Sequence, residues 1–127
     1  MWKNLVAMLI VTALSAGVCA FALIRMDQVT DEMEEMRMMV MDLAEAGDIE
    51  GAKAGLGQMA GAWSRHEQVM EMLAPHEQLH EITVLIIEGD ANLTAGDRDD
   101  FNRSMALLGE AVNHLREEEQ LKLTNIL

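Results

Sequence analysis

The sequence predicts an all-α protein, an N-terminal transmembrane helix followed by an antiparallel bundle of about four helices. Three observations lead there. Leu5 to Ile24 is a run of twenty residues without a charge, and at the helical rise it spans about 30 Å, one bilayer core. Beyond it, apolar residues recur at steps of three and four, the period of a helix with one buried face. Gly47-Asp48, Pro75 and Gly96-Asp97 then cut the remainder into segments with short connections. The 127 residues divide into an anchor at 1–25 and a helical domain at 26–127, and a remainder of about 100 residues suits one small domain.

The span is flanked by Trp2 and Lys3 on one side and Arg25 on the other, an indole and cations suited to a membrane interface. A short tail carrying Lys3 is expected to stay cytoplasmic, which places 26–127 outside, as a single-pass protein of the cell membrane. Val18-Cys19-Ala20 has the form of a signal-peptidase site, but the apolar run is longer than a signal core and continues through Ala20 to Ile24, so a retained anchor is expected. Val18 also breaks a lipoprotein motif where a small residue is required, leaving Cys19 as an inert residue in lipid. With one cysteine, no internal disulfide can form.

Charge divides the chain as sharply as hydropathy does. All 22 Asp and Glu follow Arg25, against seven Lys and Arg, a net −15 for residues 26–127. Nucleic acid is excluded as a partner by sign, since its phosphates would be repelled. In the first outer segment Val29, Met33, Met36, Val40 and Leu43 form a heptad stripe. Nothing breaks the chain between the span and this stripe, so the two are expected to run on as one helix ending at Gly47. Met33, Met36, Met38, Met39 and Met41 crowd it. Thioethers suit Cu(I), but a methionine seam more commonly fills a core or offers an adaptable contact surface.

Asp48 caps the second helix, whose stripe is Ile49, Ala52, Leu56, Met59, Trp63, His66, Met70 and Leu73. Trp63 is its one large anchor. The stripe changes phase at Ala74-Pro75, which predicts a break there. His76-Glu77-Gln78-Leu79-His80 follows, a literal H-E-x-x-H, the zinc peptidase arrangement when it lies on a continuous helix. The context argues against that chemistry. Pro75 abuts the first His, Glu81 follows the second, and the offsets that would supply a further Gly and His hold Thr83 and Ile86. The metal candidates are therefore His76, His80 and His66, as an adventitious site at most. No catalytic residue and no cofactor site is assigned.

Leu79 to Leu93 is the most apolar outer stretch and predicts the central, most covered helix, with Gly89-Asp90 loosening its end. Asp97 caps the last helix, with Asp99 and Asp100 in its first turn and Phe101, Met105, Leu108, Val112 and Leu115 as its stripe. Glu117-Glu118-Glu119 weakens the helical signal, and the tail Leu121 to Leu127 is apolar again, expected to dock on the bundle or on a partner.

Trp63, His76-Glu77, Ile82 and Leu121-x-Leu123-x-Asn125-Ile126-Leu127 together resemble a bacterial family catalogued as domain of unknown function 4363. The resemblance covers essentially the whole chain. It implies a short protein with an N-terminal span, a helical remainder and no assigned chemistry. As a rule the family has no second His after the His-Glu pair, which makes His80 look incidental. Pro75 and the glycine-rich second helix depart from its pattern.

The expected function is a non-enzymatic, membrane-tethered interaction or structural module, with Trp63, Leu123, Ile126 and Leu127 as interaction residues and another membrane protein or a second copy as partner. The alternatives are an extracytoplasmic sensor or a Zn- or Cu-binding domain and, more remotely, a zinc peptidase.

Overall fold

The computed structural model describes residues 1–126, apart from the side chains of Glu119, Leu123 and Ile126. It contains four helices: α1 (Trp2–Glu45), α2 (Ile49–Met70), α3 (His76–Ala95) and α4 (Arg98–Ile126). α1 packs on α2 and α4, and α3 packs on the same two, while among the described residues the backbones of neither diagonal pair come close. This is an up-down-up-down four-helix bundle, the arrangement that short turns between long amphipathic helices favour.

α1 is 44 residues long, about 66 Å at the helical rise. Only its second half is in the bundle. The first twenty residues stand free, with nearly every side chain exposed, and burial begins at Ala22, Met26, Val29 and Met33. No glycine or proline interrupts 18–45, so nothing breaks the ladder where composition changes from apolar to charged.

The turns use the residues expected of them. Gly47 (φ 87°) and Gly96 (φ 75°) take the left-handed conformation that closes a helix end. Asp48 Oδ1 accepts the Gly51 amide at 2.9 Å, and Asp97 Oδ1 accepts the Asp100 amide at 3.1 Å. That backbone bond, and then the hydrogen bond with the Asp100 carboxyl, hold Asp97 below its ordinary pKa. Pro75 is the N-cap of α3 after a short turn from Glu71, in the extended backbone usual at that position and at the φ its ring enforces.

The core joins all four stripes: Met26, Val29, Met33 and Val40 from α1, Leu56, Met59, Trp63 and Met70 from α2, Leu79, Ile82 and Ile86 from α3, and Phe101, Met105, Leu108 and Leu115 from α4. Each such side chain is worth roughly 1.5–3 kcal/mol of burial, and this, rather than helix propensity, holds the bundle. Methionine supplies five of these fifteen, which suits a core of irregular gaps. The Trp63 indole N–H donates to Thr83 Oγ1 at 3.0 Å, tying α2 to α3.

Three expectations need correcting. α3 is not central: a four-helix ring has no central member, and Ile87 faces outward and is exposed. Gly89 does not loosen its helix. It is buried, and a Cβ there would lie 2.6 Å from Met105 Cε, so the glycine permits α3 and α4 to approach. The acidic run at 117–119, which weakens the helical signal, lies within α4, which continues to Ile126, supported by Gln78 donating to Glu118 and Gln120 donating to Asp27 Oδ1 at 2.9 Å.

Candidate functional site

Where α1 enters the bundle it carries Arg25, Asp27, Thr30, Asp31 and Glu32, and each of the neighbouring helices grips that stretch. From α2, His66 sits between two of these groups. Its Nδ1 accepts from Arg25 Nη2 at 3.3 Å, and its Nε2–H donates to Glu32 Oε2 at 2.9 Å. This pattern needs the tautomer with its proton on Nε2. From α4, Arg116 Nε donates to Thr30 Oγ1 at 2.8 Å and its guanidinium pairs with Asp31. Thr30 is buried, and its own hydroxyl donates back to the Met26 carbonyl at 2.8 Å. The result is a polar collar around the first turns beyond the apolar run. His66 and Arg116 are half-buried, but their partners Glu32 and Asp31 are 45% and 69% exposed, so each pair is worth about 1 kcal/mol or less.

The collar residues were individually visible in the sequence, but their partnership was not. His66 read as the polar member of a stripe and Arg25 as a span flank. Only the register of α2 on α1 brings them together.

Of the metal candidates, the structure brings His76 and His80 together and leaves His66 with Arg25 and Glu32. The first two stack in parallel, ring centroids 6.1 Å apart, on the exposed first turns of α3. Among the described residues no three His, Cys, Asp or Glu side chains gather around a common point. Glu77 is exposed beside the pair. Trp63 lies inside the bundle, almost fully buried, so it joins helices to one another. The Leu123 and Ile126 side chains and all of Leu127 fall outside the described residues.

The most exposed part of the methionine cluster is elsewhere on α1. Met33 is buried and Met36 and Met41 pack against the core, while Met38 and Met39 face outward. With Asp31, Glu34, Glu35, Asp42 and Leu43 they line a shallow, open depression of about 770 Å³. Arg37 does not neutralise its centre. It lies back across α4, held by Glu34 at 2.5 Å and donating to the Met105 carbonyl at 3.2 Å, in space left by Gly109. The hydrogen bonds that Arg37 donates to the Glu34 carboxylate raise its pKa above the ordinary value. The outer face of α1 is thus two thioethers framed by carboxylates, able to take an apolar side chain and a cation together.

These features define a class: an all-α bundle on a bare apolar helix, with a polar collar at the junction and an acidic, methionine-centred outer face. The chain belongs to the family described as Domain of unknown function (DUF4363), whose model matches residues 20–126. No curated protein and no solved structure matches it. The family match begins at the last turns of the apolar run and so covers the bundle and its junction.

Proposed function

We propose that this protein is a membrane-anchored, non-enzymatic interaction module, with residues 1–25 as a single span and the bundle held outside the cytoplasm. The observation that carries the reading is the continuity of α1. One helix supplies both a bare apolar segment of membrane length and a quarter of the bundle, so the domain is fixed to its anchor without a flexible linker. A rigid mount is useful where a protein must present one face at a set height above the bilayer.

The face it presents is the Met38–Met39 stripe. Its carboxylates call for a basic, partly apolar helix on another membrane protein. A second copy held parallel by its own anchor would set like charges against one another. The test has two parts. The chain carrying a C-terminal reporter should resist alkaline extraction from membranes and report an extracytoplasmic C-terminus. A photo-crosslinking residue at Met39 should trap a partner in those membranes, with yield falling as salt rises. A reporter in the cytoplasm would overturn the orientation. A Met39 position that stays open to aqueous reagents and traps nothing would overturn the docking face.

A further inference from the structure

We propose that the base of the bundle is itself a lipid-binding surface, with the α2–α3 turn and the end of α4 seated in the headgroup boundary of the bilayer. This rests on the reading of Leu5–Ile24 as a span. Ala22 is 4% exposed, so the bundle begins before the apolar run has ended at Ile24. No stalk separates membrane from domain.

Register then fixes what lies at that level. Against α1, Val40 faces Gly55 and the Arg25–Glu32 stretch faces His66, so α2 descends one residue for each residue α1 rises. Continuing that register places Met72 level with Leu23. On the other side Gln120 faces Asp27 and Arg116 faces Thr30, which carries the last turn of α4 down to the level of Phe21. Both segments therefore reach the height of the last apolar turns of α1.

At that height the bundle turns out large apolar side chains. Met72, at that height, is 85% exposed, and Leu121, level with Met26 just above it, is 64% exposed; Phe21 and Ile24 of α1 are exposed as well. The opposite end is different: its two turns, Ala46-Gly47-Asp48 and Gly96-Asp97, carry no large apolar residue. Around the base Glu71, Glu77, Glu117 and Glu118 outnumber Arg25 and Lys122, so attraction to anionic lipid is not what seats it. Burial of apolar side chains at the boundary is, and zwitterionic lipid suffices.

The test uses the full chain in vesicles of phosphatidylcholine alone, with Cys19→Ser and single labelling cysteines at Leu14, Ala46, Met72 and Leu121. The label is an environment-sensitive fluorophore. The proposal expects blue-shifted emission at 72 and 121, quenching there by nitroxide lipids labelled near the headgroup, and protection from aqueous iodide. Ala46 should behave oppositely, and Leu14 should be quenched by deeper nitroxides. If Leu14 is lipid-quenched while 72 and 121 respond to iodide as Ala46 does, the seated base is wrong and the span stands. If Leu14 also responds to iodide, both fall. Protection at 72 and 121 from iodide and from lipid quenchers alike would mean that protein covers the base, and would also overturn the proposal.

Discussion

Three glycines of one helix offer a paired test of the bundle's register. Gly55, Gly57 and Gly61 all lie in α2, and replacing any of them with Ala improves intrinsic helix propensity by about 1 kcal/mol. Their surroundings differ. A Cβ at Gly55 would sit 2.8 Å from Val40 Cγ2, a side chain that is buried and stiff at its branched carbon. At Gly57 nothing lies within 4 Å, and at Gly61 the nearest atom is Arg65 Nη1 at 3.7 Å. Forcing a methyl into the α1–α2 contact costs about 1–3 kcal/mol. Gly55→Ala should therefore range from neutral to about 2 kcal/mol destabilising, and Gly57→Ala should stabilise by up to about 1 kcal/mol. Because propensity cancels between the two variants, their difference isolates the steric contact. At about 4–8 °C per kcal/mol for a domain of this size, the two melting temperatures should separate by at least several degrees. The assay is thermal unfolding of the full chain in mild detergent, followed through Trp63 in a Trp2→Phe background. Equal stabilisation by both substitutions would show that α2 does not approach α1 at Gly55, and the register used above would fall with it.

Other outcomes follow from single contacts. Thr83→Val should destabilise by about 1–3 kcal/mol in the same melt, because it leaves the buried Trp63 N–H without its acceptor. Asp48→Ala should cost about 1 kcal/mol through loss of the bond to the Gly51 amide, and Asp48→Asn should restore most of it. Arg116→Met should loosen α4 from α1 at Thr30 and Asp31, seen as faster amide exchange in 116–122 with the distal turns unchanged. Glu77→Gln should leave stability within about 0.5 kcal/mol, since the side chain is exposed and makes no ion pair or hydrogen bond among the described residues.

Much of the architecture was legible in the sequence because local signals and the buried face agreed. The stripes of α1, α2 and α4 coincide with the core, and Gly47-Asp48, Pro75 and Gly96-Asp97 fall at the turns. The readings that failed concern relations between helices. The apolar breadth of Leu79 to Leu93 suggests the central, most covered helix, but how many neighbours a helix has depends on the ring, which periodicity does not encode. Gly89 looked like a weak point because the Met105 side chain that needs its space lies on another helix. The run at 117–119 weakens the helical signal, yet Gln78 and the flanking Arg116 and Gln120 give α4 its partners there. The collar was hidden for the same reason: Arg25, Glu32 and His66 meet only once α2 is set against α1.

The central claim is that one helix carries the domain out of the membrane and keeps its apolar half in lipid. Peptide mapping of the protein recovered from alkali-washed membranes tests it most directly. The account predicts that the chain stays in the membrane pellet and still contains Leu5–Ile24 joined to Arg25 and beyond. Recovery of the bundle in the soluble fraction, with a new N-terminus just after Ala20, would contradict it.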